Sequence, residues 1–271
     1  MSRFIFWLLR PTFGSKRFLK FYRALFNLSV VGLNFRNISF DTNGEGFLLS
    51  KVRKLYDGAN PLTVFDVGAN SGKYAAMVDE RLGCPAAILA FEPFPVPFKK
   101  LADVASRSSS IKAFQFGFGE KMEVLPFYSS TAFDEIGSLY KKDFTKFGFT
   151  QDLSEEVRID TIDHFCDSNG IHHINFLKID VEGHDFFVLK GAEKMLGNGQ
   201  VDLIQFEFGT ANYVSKTYLH DFYQLLHGKY RFFRLLKNGL EEIVQYNTDY
   251  EIHILNNYVA VKNESYAKLF A

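Results

Sequence analysis

Three short stretches carry residue types that could do chemistry together. Asp66-Val67-Gly68-Ala69-Asn70-Ser71-Gly72 joins an acid to two glycines and an asparagine, Glu92 lies twenty residues beyond Gly72, and Asp180-Val181-Glu182-Gly183-His184 groups two carboxylates with an imidazole. Glycine turns where other residues are strained, and asparagine tolerates the left-handed conformation, so 68–72 reads as a tight loop that brings backbone close to a ligand. A carboxylate at Glu92 can accept two hydrogen bonds from the vicinal hydroxyls of a ribose. Loop plus acid therefore points to a nucleoside. The spacing is not the G-x-G-x-x-G of a pyrophosphate site, and Asp66 so near the loop would repel a pyrophosphate. It suits a ligand with a cationic, amino-acid-bearing end; S-adenosylmethionine, with its ammonium, sulfonium and ribose, has that character. The plainer alternative is a tight turn of any α/β fold, with Asp66 capping the next helix.

The third stretch supplies acid–base groups. In extended backbone Asp180 and Glu182 point the same way. Gly183 allows a turn, and His184 has the intrinsic pKa best placed for a general base. The competing reading makes the acids charge partners of a helix N-terminus. The trio could also hold a divalent cation, but the stretch supplies too few ligands and no metal is expected. Glu207 could complete an acceptor pocket or pair with a buried base. His172-His173 precedes its strand, which places it at the far end from such a site. Lys178, inside the strand, is expected to pair with a carboxylate.

Elements that could hold these residues alternate. Strands are expected at 63–67, 87–91, 111–116, 174–179, 203–208, 230–236 and 258–261, with helices at 73–82, 97–104, 185–196 and 217–226. Each chemical stretch then follows the carboxyl end of a strand, where open parallel sheets bind ligands. The pattern predicts an α/β sheet with helices on both faces. Residues 120–165 break the alternation; strands at 123–128 and 157–162 around a Phe-rich loop would form an insert on the acceptor side.

Several blocks in this order resemble the FkbM-type family of S-adenosylmethionine-dependent methyltransferases: DVGANSGKY at 66–74, AFEPFP at 90–95, VRIDTIDHF at 157–165 with INFLKIDVEGHDFFVLKGA at 174–192, and IQFEF at 204–208. Ile162 and Asp185 depart from the Leu and Glu usual in that pattern. The resemblance implies a class I methyltransferase (Rossmann-like) mixed sheet and methyl transfer, usually to a hydroxyl oxygen of a sugar, glycan, glycolipid or natural product. It places Asp66, Gly68, Asn70 and Gly72, with Ala69 and Tyr74 of the same motif, around the methionine part of the cofactor. It places Glu92 and Pro93 at the ribose, and Gly119-Glu120 along the adenine pocket. Asp180, Glu182 and His184 become the catalytic candidates. A nicotinamide-dependent oxidoreductase and a non-catalytic binding module of the same fold remain as alternatives.

The chain has 271 residues, 47% apolar and 23% charged, with 31 Phe, two Cys and zero formal net charge. Such balance argues against a nucleic-acid binder, and two cysteines exclude a disulfide framework. The charge is unevenly spread. Residues 1–40 hold seven basic side chains, ten aromatics and no Asp or Glu, leaving 24 basic against 31 acidic residues elsewhere. The apolar run from Phe4 to Leu9 is too short for a membrane span or a signal peptide, so a cytoplasmic protein is expected. Residues 1–45 form a basic aromatic arm ahead of a 46–271 catalytic domain. On a helix through 15–31, Phe18, Tyr22, Leu25 and Phe26 share a side away from Lys16, Lys20 and Arg23. Two readings fit: the stripe packs on the domain or in a homo-oligomer, or it lies on the inner face of an anionic membrane.

Overall fold

The computed structural model of the chain describes residues 7–130, 137–143, 145 and 150–270. Its main sheet has eight strands in the order β3-β2-β1-β7-β8-β11-β9-β10: Ile111–Phe114, Ala86–Phe91, Leu62–Val67, Ile174–Ile179, Val201–Phe208, Asn256–Lys262, Tyr230–Leu236 and Gly239–Glu242. The first five in that order run parallel, β11 inserts antiparallel between β8 and β9, and β10 closes a hairpin. The mixed α/β sheet with helices on both faces is thus present. The chain leaves β1 toward β2 and returns as β7 on the other side. That reversal opens a crevice beyond the ends of β1 and β7.

Both faces of β1 and β7 are buried, which is why they read as continuous apolar runs rather than alternating ones. Val64 and Phe176 face one layer, with α3 (Glu45–Val52), α4 (Lys73–Arg81), α5 (Pro95–Ala105) and α11 (Asn263–Phe270). Phe65, Val67, Leu177 and Ile179 face the other, with α6 (Ile162–Asn169), α7 (Asp185–Lys190), α8 (Glu193–Gly197) and α10 (Leu219–Leu226). The second layer explains part of the Phe content. Phe65, Phe91, Phe114, Phe116, Phe118 and Phe165 form one ring cluster, with Phe91 4.6 Å from Phe118 and edge-on to Phe165 at 5.1 Å.

Expected boundaries shift where a specific contact intervenes. The strand expected to reach Phe116 ends at Phe114, and Gly117–Phe118 forms a separate short strand, β4. The strand expected to reach Ile162 ends at Asp160, because Thr161 caps α6 by accepting the His164 N–H at 3.0 Å. The helix expected over 185–196 is interrupted at Gly191, where the Gly119 carbonyl approaches too closely for any side chain. The insert is a three-stranded sheet, β4-β6-β5, in which β5 (Glu123–Ser129) pairs antiparallel with β6 (Leu153–Asp160). Its residues 131–136, 144 and 146–149 lie outside the described ones, as do Phe4 and Phe6 of the arm.

The arm's helix α1 (Leu19–Gly32) buries only Val30. Phe18 and Tyr22 are half-buried, whereas Leu25 and Phe26 are exposed, so the stripe is not covered by the described part of the domain. Among the described residues no helix is long and apolar enough to cross a membrane. α2 (Phe40–Asn43) and α3 then enter the core through Leu48, Leu49 and Val52.

Phe91 is fully buried in the ring cluster and ends β2 beside the crevice. Phe91→Ala is expected to lower unfolding free energy by about 3–5 kcal/mol, as a large cavity does, and Phe91→Leu by clearly less. Urea titration followed by circular dichroism checks both.

Candidate functional site

The loop after β1 is shaped by three left-handed residues: Gly68 (φ 84°), Asn70 (φ 48°) and Gly72 (φ 81°). Gly68 and Ala69 both donate their N–H to the Phe91 carbonyl, at 3.0 and 2.9 Å, tying the loop to the end of β2. The two glycines are required by protein contacts as well as by φ. A side chain at 68 would overlap the Asp180 carbonyl, and one at 72 would press on Leu101 of α5. Gly72 therefore seats α4 against α5, while Gly68, Ala69 and Asn70 line the crevice.

Glu92 is buried and clamps this loop from the next strand. Its Oε2 accepts the Asn70 N–H at 3.0 Å and its Oε1 accepts the Phe94 N–H at 2.8 Å. Burial raises its pKa to about 7 despite those two bonds. Each oxygen keeps acceptor capacity, and the carboxylate borders a hollow of ≈ 130 Å³ also lined by Pro93, Gly117, Phe118, Phe127, Leu139 and Ile159. A carboxylate at the rim of an apolar slot is what a ribose and its base require. Gly117 and Phe118 occupy the wall where Gly119-Glu120 were expected. Gly119 sits behind it, against His184, and Glu120 is half-exposed beside Lys190. The cause is the early end of β3, which sequence periodicity did not resolve.

Asp180-Val181-Glu182-Gly183-His184 crosses the crevice after β7. Glu182 and Gly183 both turn left-handed, at φ 56° and 103°. For a glutamate this conformation costs on the order of 1 kcal/mol or more and needs outside support. The insert supplies it: Ser138 Oγ donates to the Glu182 carbonyl at 3.0 Å, and Lys142 Nζ pairs with the Glu182 carboxylate at 2.6 Å. Tyr140 bonds His184 Nδ1 at 2.9 Å, and Phe187 stacks on the imidazole at 4.9 Å. Burial pushes His184 down to about 4, so it is neutral at physiological pH. It borders the Glu92 hollow and is not among the residues around the acid-rimmed cavity described below.

On the other side of the crevice lies a buried polar layer. Asp66, Lys178 and Gln205 are cross-strand neighbours on β1, β7 and β8. Lys178 Nζ donates to Asp180 at 3.0 Å and sits over the Tyr74 ring at 4.6 Å. Glu45, the first residue of α3, accepts from Gln205 Nε2 at 2.7 Å and from Asn43 at 2.8 Å. Burial alone would push the Lys178 ammonium down. The carboxylates of Asp180, Asp66, Glu45 and Glu207 outweigh it and hold its pKa above that of an ordinary lysine. Burial raises Asp66 to about 6, with Lys178 opposing, and lifts Glu207 well above the usual carboxylate range, with Asp180 adding to it. Both Asp66 oxygens and the Tyr74 hydroxyl are buried without a well-formed hydrogen bond, the Ala75 amide pulling only weakly on Asp66. Unsatisfied polar atoms beside an acid-rich hollow fit a ligand with a cationic amino-acid end.

Two further cavities open here. One, ≈ 430 Å³, runs from Ala69 and Asn70 past Tyr74 to Lys178 and Asp180. The other, ≈ 540 Å³, is bordered by Glu45, Asp180, Glu182, Asp185 and Glu207, with Asn212 and Thr210 behind. Asp180 borders all three hollows. Glu45, Tyr140, Ser138 and Lys142 had no motif to betray them, because they come from the arm and the insert. His173 does bond Asp202 at 2.7 Å at the opposite end of β7, far from the crevice. Among the described residues no three His, Cys, Asp or Glu converge in metal-binding geometry.

A family model covers more than half of the chain. Residues 66–235 match the methyltransferase FkbM domain. Methyltransferase sdnD of Sordaria araneosa is 30% identical over 166 residues, covering 50% of this chain and 62% of that protein. The hexuronic acid methyltransferase AglP of Haloferax volcanii is 26% identical over 147 residues, covering 54% and 56%. The chain thus spans little more than half the length of these curated relatives. Among solved structures, an FkbM methyltransferase of Methylobacillus flagellatus aligns with 77% of this chain and 47% of its own, at 16% identity and a TM-score of 0.43.

Two outcomes follow from the buried charges. Asp66, Glu92 and Asp185 (raised by burial to about 7) keep protons in the folded chain that the unfolded chain has released between about pH 4 and 7. Their contribution is greatest below pH 4 and is lost as pH rises through their folded pKa values. The ligand-free protein is therefore expected to melt at a lower temperature at pH 8 than at pH 5, by differential scanning calorimetry. Lys178→Met removes the cation from among the carboxylates around it, with an expected loss of about 3–5 kcal/mol at pH 8 that shrinks as pH falls through about 6, where buried Asp66 takes up a proton.

Proposed function

The chain belongs to the FkbM methyltransferase family, and on that premise we propose that it moves the methyl group of S-adenosylmethionine onto a hydroxyl oxygen of a sugar, glycan, glycolipid or natural product. The observation that carries this reading is the position of Asp180. It stands where the Glu92 hollow, the hollow running from Ala69 past Tyr74 to Lys178 and a separate acid-rimmed cavity meet. A transfer between two molecules needs such a junction, and holding both in line removes much of the entropic barrier.

Glu92 would bind the ribose hydroxyls, the apolar slot of Phe118, Phe127 and Ile159 would take the base, and the hollow from Ala69 and Asn70 to Tyr74 would take the amino-acid end, with Asp66 fully buried outside its lining. The cofactor bound there supplies a methyl group already activated by its sulfonium. The acceptor enters the larger cavity, where the Glu45, Glu182 and Glu207 carboxyls can hold its other hydroxyls. Asp180, partly solvent-exposed and oriented by Lys178, is the group placed to take the hydroxyl proton as the oxygen attacks. Lys178 is committed to Asp180, so the cavity favours an uncharged face of the acceptor. His184, neutral and wedged between Tyr140 and Phe187, shapes the nucleoside side. The hexuronic acid methyltransferase among the relatives supports a sugar-like acceptor.

Titration calorimetry tests the cofactor. S-adenosylhomocysteine is expected to bind and NAD to give no heat; the reverse result would replace methyl transfer by a nicotinamide chemistry. Glu92→Ala should weaken S-adenosylhomocysteine at least tenfold, since it removes charge-assisted bonds worth about 1.5–3 kcal/mol. For the unmutated protein, affinity should rise as pH climbs through about 7, because ionised Glu92 is the better acceptor for hydroxyl donors. Asp180→Asn is expected to lower kcat by about a hundredfold or more, as loss of a general base does. His184→Ala should instead weaken cofactor binding and leave kcat within a fewfold.

A further inference from the structure

The arm presents an unusual surface. On α1, Lys20, Arg23 and Asn27 fall on one narrow stripe at 3.6 residues per turn. Apart from Ser29, the buried Val30 and the half-buried Tyr22, the rest of the circumference is apolar and largely open to solvent: Leu28 is 69% exposed, Phe26 52% and Phe21 50%. The preceding 3-10 turn, Lys16–Phe18, adds Lys16 and Arg17. A wide apolar face bordered by cations, with no acid anywhere in residues 1–40, matches a bilayer interface carrying anionic headgroups. Apolar side chains enter the acyl boundary while the lysine and arginine stems reach back to phosphate. An arm-to-arm contact with a second copy would set these cations against one another, since the arm has no acid to pair with them.

The helix is also held at a fixed place. Asn34 (φ 68°) donates to the carbonyls of Asn43 at 2.9 Å and Leu235 at 3.2 Å. Arg234 donates to the Leu33 carbonyl at 2.8 Å and lies over the Phe35 ring at 4.6 Å. The Arg36 N–H bonds the Leu255 carbonyl at 2.9 Å. Directly after this root comes Ile38, 83% exposed, which lines both the acceptor-side cavity and the amino-acid hollow. The arm's helix is therefore joined, through this fixed root of a few residues, to a side chain at the mouth of the site.

We infer that α1 and the turn before it dock the protein on anionic phospholipid and hold the mouth of the acceptor cavity at the bilayer surface. Docking itself stands on the arm; the consequence that the acceptor is membrane-presented rests on the function proposed above. The two are separable, because lipid binding can be read without turnover.

The chain contains a single Trp, Trp7, in the arm and 68% exposed, which makes a native probe. The full chain is mixed with phosphatidylcholine vesicles with and without phosphatidylglycerol, following sedimentation and Trp7 emission. The expected result is co-sedimentation and a blue shift with the anionic vesicles, weak binding to the neutral ones, and weakening at high salt. K20E/R23E and, separately, F21S/L28S should each weaken vesicle binding more than tenfold while leaving the melting temperature and S-adenosylhomocysteine affinity unchanged. Absence of vesicle binding, equal binding to both vesicle types, or a dimer in solution that F21S/L28S dissociates while vesicles have no effect on the full chain would each overturn the inference, the last in favour of self-association.

Discussion

The site depends on one buried ammonium. Lys178 sits inside β7, 5% exposed, among the carboxylates of Asp66, Asp180, Glu45 and Glu207. Without that charge four acids would crowd the ends of three neighbouring strands, and the sheet would separate there or the acids would all take up protons. With it, one carboxylate, Asp180, remains oriented and partly solvent-accessible. The others form a polar layer that extends through Gln205 to Asn257 on β11 and to the start of α3. The same layer that holds the central strands together thus rims the place where a cationic ligand and a hydroxyl acceptor would meet.

A second constraint acts across the crevice. Glu92 is tied to the loop after β1 by the Asn70 amide, and that loop lies against the Asp180 carbonyl. Three strand ends are therefore fixed to one another by hydrogen bonds and close backbone contact in addition to the packing of Val67, Phe91 and Ile179. The left-handed Glu182 makes the third end dependent on the insert, through Ser138 and Lys142. The insert thus serves two places at once: Ser138 and Lys142 hold Glu182 and Tyr140 bonds His184, while Gly137 and Leu139 of the same segment line the Glu92 hollow.

The arm contributes at both ends. Its root delivers Asn43 and Glu45 to the polar layer and Ile38 to the cavity mouth, while its helix leaves the domain with an apolar surface uncovered. A division into arm and catalytic domain at residue 45 understates this, since the buried Glu45 belongs to the site.

What the sequence alone determined is what local chemistry dictates. Strand ends followed by Gly68, Glu92 and Asp180 could be read because apolar runs end abruptly and only a few residue types suit the loops that follow. The α/β sheet with helices on both faces followed from the alternation, and the far-end placement of His173 from strand length; the strand order came only with the structure. What only the tertiary structure decided concerns partners distant in the chain. Glu45 meets Gln205 across 160 residues. Tyr140 and Lys142 reach the loop of Glu182 and His184 from an insert with no motif. Gly117 and Phe118 replace Gly119-Glu120 at the wall because β3 stops short. The pKa of His184 falls because burial overrides the intrinsic value that made it attractive as a base. Burial and long-range contact depend on the summed packing of two helical layers, and no local pattern contains that sum.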